Sequence, residues 1–542
     1  MKYIRLDNQR HFLMGQLYNQ RLFALIFSSM VLLYFVFLPA TNLLYYAGDD
    51  FRYAFGGFTK ACKTDDSFEF MWTLGRPLQA YLDCLTYKFA YTLERMRDVR
   101  LLSVILLGCG MGLLADCLCC LGLSIGIAFF ASGVFFLIPE MYHDAVLTGS
   151  QPLAFSIILV LLSYRSAQQQ PKLSALYLLC ALLTYPAMAF FFVTLILAKL
   201  LFSSLKDWME TRRDIARGVV LFGIVCVVYY FFAFINMRYF PQAPVTDRAY
   251  QLNHPNFNIM EMLGRAAIMG NVFDRIWALS PLSNMAWQGW IMVMLLFSAI
   301  ILTPIYFVNS QFYIRNQSVA LVWALQAVAS AIILVILCSA FTLVMPGRVW
   351  EARLLVGVIS AGLMLMLWSI NQCSFMLPSY LRTNIVLAAV TFFFLVQGYQ
   401  TNVAMMVYAM SYQQYLNFTK TAIASYLATG SKLRRIHYIV PQTSYPYNQF
   451  FLSNGALMQL LGRGNYELYW CSLSRGTPGA EKDHQIEAMS CIQKMPKNAI
   501  AVTYTYPGER FKETDPMLLM DMQNVTVAKY IEQNYKAYFN YQ

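Results

Sequence analysis

The feature that most constrains this chain is a succession of apolar runs, most of them about 18 residues or longer and so able to cross a hydrocarbon core of about 30 Å, with 152–164 barely long enough. They predict spans near residues 22–44, 101–120, 123–138 and 152–164, then two that meet at Tyr185-Pro186. Further runs follow at 219–235, 287–307 and 320–344, after the loop 346–353, and at 385–407. That makes about eleven spans. The short alternating segments of a β-barrel are not there. Backbone polar groups in the hydrocarbon must then be satisfied inside helices. Lys2, Arg5, Arg10 and Arg21 precede the first run, and no small-residue cleavage site follows it. This predicts a retained, cytoplasmic N-terminus.

From about Ser411 the pattern changes. Residues 411–542 mix amphipathic stretches with β-like runs at 437–440 and 499–504, and are too polar to span. The expected fold is an all-α polytopic membrane part over 1–410, followed by a small C-terminal α/β domain outside the cytoplasm. Within the membrane part, residues 45–100 read as a first outer loop with amphipathic surface helices, and 238–286 as a later outer loop. No internal repeat divides the chain into transporter-like halves.

Charge narrows the partners. Only 13% of residues are charged, yet the net charge is +12. The basic residues are spread over short loops without the aromatic interleaving that tracks a phosphate backbone, which argues against nucleic acid. They fit topology determinants and contacts to anionic headgroups of the bilayer. Eight of the twelve cysteines lie in or beside apolar runs, as small hydrophobes. The other four form two local pairs, Cys62 with Cys84 and Cys471 with Cys491, each able to close a disulfide outside the cytoplasm. Neither has the spacing of a metal site, and no metal or cofactor is expected.

Chemistry concentrates just after the first span. Asp49 and Asp50 stand side by side at a membrane boundary, Arg52 follows, and Gly75-Arg76-Pro77 forms a turn in the same loop. A carboxylate can take a proton from an acceptor hydroxyl, and arginine suits bidentate contact to a phosphate leaving group. A helix N-cap is the competing role for the two aspartates. Arg348 and Arg353, in the loop before the tenth span, fit phosphate binding or interfacial anchoring equally. His143-Asp144 falls on the same side, available to a substrate hydroxyl or simply solvated. Tyr185-Pro186 breaks a helix there and permits contact with a sugar. No phosphate-binding glycine loop is present, which leaves a nucleotide-sugar donor unsupported.

These residues carry a family resemblance. Leu44-Tyr45-Tyr46-Ala47-Gly48-Asp49-Asp50-Phe51-Arg52, followed by Leu74-Gly75-Arg76-Pro77-Leu78, resembles the opening of the serotype-converting O-antigen glucosyltransferases. Members show a tyrosine, paired aspartates, a hydrophobic residue and an arginine, then a Gly-Arg-Pro-Leu turn. The resemblance implies the GT-C architecture and an undecaprenyl-phosphate-linked glucose donor. It also implies a polysaccharide or lipid-linked oligosaccharide acceptor, and a bacterial inner-membrane enzyme acting on the periplasmic side. With the reading of the residues themselves, Asp49 and Asp50 are the catalytic candidates. Arg52, Arg76, Arg348, Arg353, His143, Asp144 and Tyr185 are the substrate-binding ones. The chain departs from the family where His143-Asp144 follows Pro139 in place of a Glu-Asn pair, and where Tyr185-Pro186 replaces Tyr-Gln. Two other readings compete: a flippase or transporter of a lipid-linked sugar, and a polysaccharide polymerase or ligase.

Overall fold

The computed structural model describes residues 2–45, 68, 71–72, 74–90, 92–138, 151–203, 208–239, 258–265, scattered positions within 325–336, 356–374, 378–428 and five short strands beyond. Its helices are α1 (Lys2–Val36), α2 (Leu38–Asn42), α3 (Pro77–Phe89), α4 (Leu93–Cys120), α5 (Ile125–Phe136) and α6 (Gln151–Ser166). After these come α7 (Pro171–Thr184), α8 (Pro186–Phe202), α9 (Trp208–Tyr239), α10 (Val356–Ser374) and α11 (Ser379–Ala428). Among the described residues, four helical stretches have the length and apolar composition to cross a membrane: Asn19–Val36, Leu93–Cys120, Glu210–Ile235 and Leu381–Val403. Shorter apolar helices pack among them. The chain is a polytopic helical membrane protein.

Its most intimate contact is between α1 and α4, which run antiparallel. Gly108 and Gly112 recur four residues apart and so face the same way along α4. A Cβ on Gly108 would fall 2.6 Å from the Met30 Cα, and one on Gly112 would fall 2.5 Å from the Ile26 Cα. Two backbones this close need small residues, the usual means of packing helices where lipid removes the hydrophobic drive between them. At the foot of the same pair, the Arg21 Nη2 lies 2.7 Å from Asp116 Oδ1. These three contacts fix one register.

Turn chemistry sets the direction of the next helices. Gly122 has φ 95°. Its N–H donates to Cys119 O and the Leu123 N–H donates to Leu118 O. This pattern closes a helix and reverses the chain into α5. The helix α6 then runs parallel to α4, and α7 returns beside it, with Ser163 and Ser174 exchanging hydrogen bonds to each other's carbonyls. Pro186 ends α7 and begins α8. Finally α11 runs parallel to α5, with Leu387 beside Gly126 and Phe394 against Phe130.

Residues from Trp208 onward open α9, where Asp214 in its first turns pairs with Lys199 at the end of α8 at 3.5 Å. One expectation changes. The charged residues Glu94, Arg95 and Arg97 belong to α4, whose start at Leu93 is capped by the Thr92 side chain accepting the Arg95 N–H.

Beyond α11 the described residues form a five-stranded sheet: β1 (Arg435–Ile439), β2 (Glu467–Cys471), β3 (Ile500–Thr505), β4 (Glu509–Phe511) and β5 (Pro516–Asp521). Their order is β2-β1-β5-β3-β4. Among the described strands only β3 and β4 pair antiparallel. The parallel pairs β1–β2, β1–β5 and β3–β5 require crossover connections. The β-like runs near 437 and 499 coincide with β1 and β3. The expected boundary at residue 410 falls inside α11.

Candidate functional site

Two of the nine site residues expected from sequence are described, and they touch. The Arg76 guanidinium lies over the Tyr185 ring, 4.1 Å from its centroid. Asp49, Asp50, Arg52, His143, Asp144, Arg348 and Arg353 lie outside the described residues.

Local sequence explains how Arg76 gets there. The Arg76 N–H donates to Met71 O and the Gly75 N–H to Trp72 O, each at 2.9 Å. Gly75 sits at φ 73°, the left-handed conformation that this helix-closing motif demands. A Cβ at Gly75 would stand 2.6 Å from the Tyr229 hydroxyl of α9, so the turn is pressed against that helix. Pro77 then starts α3 with its φ preset and no N–H to satisfy. Phe68, Trp72 and Tyr81 pack ring against ring around the turn and brace it.

Tyr185 is both the C-terminal cap of α7 and the N-terminal cap of α8, with extended φ −152° and ψ 99°. A residue before proline is pushed out of the helical region, so the break itself dictates this backbone. Tyr185 is 1% exposed. Its ring face is given to Arg76, an arrangement worth about 0.5–2 kcal/mol. A cation over a ring is held by the π face, which leaves guanidinium N–H donors suited to an anion. The Arg76 Nε has no hydrogen-bond partner among the described residues.

A second arginine–tyrosine pair stands at the same end. Arg100 of α4 is wholly buried, donates from Nη2 to the Tyr45 carbonyl at 2.6 Å, and lies 3.8 Å from the Tyr45 ring centroid. A charge-assisted bond of this kind contributes about 1.5–3 kcal/mol. It pins the chain where it leaves α2. Four residues of chain, spanning at most about 14 Å, separate that point from Asp49. Sequence reasoning missed Arg100 because it sits among the flanking charges of a span, where it is indistinguishable from an interfacial anchor.

The helix α3 is amphipathic, with its polar stripe buried. Gln79, Asp83 and Thr86 are buried, while Tyr81, Leu85 and Phe89 are 57%, 68% and 62% exposed. The polar stripe faces the protein, where α3 packs on α7 and α6. The apolar stripe faces outward, as it would against lipid. Cys84, on α3, is disulfide-bonded to a partner outside the described residues.

At the opposite end the charges are saturated. Asp116, fully buried, meets Arg21 and also Arg165, whose Nε lies 3.6 Å away. The Gln168 amide donates to Asp214, which also pairs with Lys199. Three helices, α1, α4 and α6, are tied together there by one carboxylate.

No family model and no curated protein matches the chain. Among solved structures it is similar to the crystal structure of ArnT from Cupriavidus metallidurans bound to undecaprenyl phosphate, with 13% identity and a TM-score of 0.41. The match covers 87% of this chain and 88% of that chain. The fold class rests on the helices themselves.

Proposed function

We propose that the chain is a GT-C-type membrane glycosyltransferase. It transfers a sugar, glucose by the family resemblance, from an undecaprenyl-phosphate-linked donor to O-antigen or a related surface polysaccharide. The observation that carries this reading is Arg76 held over the Tyr185 ring: two residues far apart in sequence, each a site candidate from its own motif, meet as a pair suited to an anion. Arg100 holding the Tyr45 carbonyl adds support, because it anchors the approach to Asp49 and Asp50.

In this reading Asp49 or Asp50 takes the proton of the acceptor hydroxyl. The acceptor oxygen bonds to the anomeric carbon from the face opposite the phosphate, inverting it. The carbon–oxygen bond to phosphate breaks and its electron pair leaves on the polyprenyl phosphate. Arg76, with Arg52, Arg348 and Arg353, balances the charge that develops there. A phosphate leaves without the strong general acid an alkoxide would need, so one carboxylate suffices. His143, Asp144 and Tyr185 contact sugar hydroxyls.

The membrane is the bacterial inner membrane, with the N-terminus cytoplasmic and the Tyr185 end periplasmic. The disulfide at Cys84 supports that orientation, since such bonds persist in oxidising compartments. The path of α11 supports a periplasmic domain over 411–542, because the helix passes Leu137 and Val36 and leaves at the Tyr185 end. A transporter would be expected to keep an ionisable group available within its spans, whereas Asp116 is held by two arginines.

The test is turnover. Purified protein given polyprenyl-phosphate glucose and an O-antigen acceptor should release polyprenyl phosphate. Asp49→Asn or Asp50→Asn should lower the rate by at least about a hundredfold, the scale of a lost general base. Full activity in both variants would refute the catalytic assignment.

A further inference from the structure

The turn that carries Arg76 rests on α9 at two residues. A Cβ built on Gly75 would lie 2.6 Å from the Tyr229 hydroxyl, 3.4 Å from the Ala233 Cβ and 3.5 Å from the Tyr229 Cζ. Tyr229 and Ala233 are four residues apart and so stand on one face of α9. Both are half-buried, while Tyr230, Phe231 and Phe234 beside them are exposed. The strip that meets the turn is the sheltered one.

The helix that offers this seat is itself held in place. Phe222 stacks on Phe192 and meets Phe190 edge-on, and Asp214 pairs with Lys199, so α9 is fixed on α8. It also packs on α7, the helix that ends at Tyr185. The ring beneath Arg76 and the seat beneath Gly75 therefore belong to helices in contact with each other.

One oxygen decides how deeply the turn sits. Without the Tyr229 hydroxyl, the nearest ring atom to a Cβ at Gly75 would be Cζ at 3.5 Å, an ordinary contact. With the hydroxyl there is room for glycine alone. Arg76 is the next residue, and moving a binding group by about 1 Å costs up to about a hundredfold.

We propose that Tyr229 is a positioning residue for the donor phosphate: its hydroxyl sets the depth of the Gly75 turn on α9 and thereby places the Arg76 guanidinium over Tyr185. This rests on the glycosyltransferase reading, in which Arg76 contacts that phosphate. Tyr229 acts through Arg76 and not on the substrate.

The experiment measures the affinity of the full chain in nanodiscs for unglycosylated polyprenyl phosphate. Gly75→Ala, whose methyl overlaps the hydroxyl, should weaken binding about tenfold or more. Adding Tyr229→Phe should restore it to within about threefold of wild type, the new methyl taking the place of the lost oxygen. An alanine at φ 73° is strained in both variants, so strain does not produce the recovery. In an Arg76→Met background neither change should alter affinity further, because the group they act through is gone. A fault of folding alone would weaken binding with or without Arg76. The seat is overturned if Tyr229→Phe does not rescue Gly75→Ala, or if Gly75→Ala weakens Arg76→Met as much as it weakens wild type. Should Gly75→Ala not fold, Tyr229→Phe decides by itself. It should weaken binding about threefold with Arg76 present and leave Arg76→Met unchanged; an equal loss in both backgrounds, or none, overturns the seat. A wild type that does not bind polyprenyl phosphate, or an Arg76→Met that binds it equally well, overturns the phosphate reading on which the seat rests.

Discussion

The two ends of the helical bundle treat positive charge in opposite ways. At the Asp116 end, Arg21 and Arg165 converge on one buried carboxylate, and Lys199 and Gln168 converge on Asp214. At the Tyr185 end, Arg76 and Arg100 lie on tyrosine faces. An ion pair satisfies a guanidinium and fixes the helices that carry it. A ring fixes the guanidinium in space without neutralising it, and at Arg76 the Nε has no hydrogen-bond partner among the described residues. The first arrangement suits a static joint and the second suits a site.

That contrast can be broken by mutation. The largest effect is expected for Asp116→Ala, which leaves two arginines facing a void and should cost about 3 kcal/mol of stability. Denaturant titration of the detergent-solubilised protein reads the loss, with the donor KM of the folded fraction unchanged. Next comes Arg76→Met. It should lower kcat/KM for a polyprenyl-phosphate donor by about 2 kcal/mol, or roughly thirtyfold, with little change in the unfolding midpoint. Arg76→Lys keeps the charge and should recover only part of this, since lysine lacks the planar fork. Thr92→Ala probes the Tyr185 end for a purely structural loss, through the cap of α4, and should cost about 1 kcal/mol without altering kinetics. Lys199→Met removes a half-buried pair and should cost about 0.5 kcal/mol or less. If Arg76→Met destabilised the fold as much as Asp116→Ala, the distinction between joint and site would be lost.

Much of the bundle was legible because hydrophobicity in lipid is a coarse, long-range signal. The runs at 123–138 and 152–164 became α5 and α6 with shifts of a residue or two at their ends, and the break at Tyr185-Pro186 stands where the proline required it. The Gly75-Arg76-Pro77 turn was legible for a different reason, since glycine and proline so close together leave a chain few alternatives to a turn. The sense of α3 was not. An amphipathic pattern gives two faces but does not say which one meets protein when the surroundings are lipid, so Gln79 and Asp83 went unrecognised. Arg100 was hidden because its partner is a backbone carbonyl, and a carbonyl leaves no trace in residue identity. The β2, β4 and β5 strands were not singled out, although β2 and β5 are as long as β1 and β3.

The clasp between α11 and the rest of the bundle has a consequence for biosynthesis. Gln397 and Thr401 both donate to the Leu137 carbonyl, just past the end of α5, and Asn402 donates to Val36 O at the end of α1. The sequence separations are 260, 264 and 366 residues. Carbonyls at helix ends have no partner within their own helix. At about 5–20 residues per second, a ribosome needs roughly 20–70 s to travel from Val36 to Asn402. For that interval the nascent bundle carries two open acceptors at the very end where the site forms. The site is therefore sealed last, by a helix synthesised near the end of the membrane part, and a chain truncated before residue 397 would insert its early helices yet leave this end unlatched.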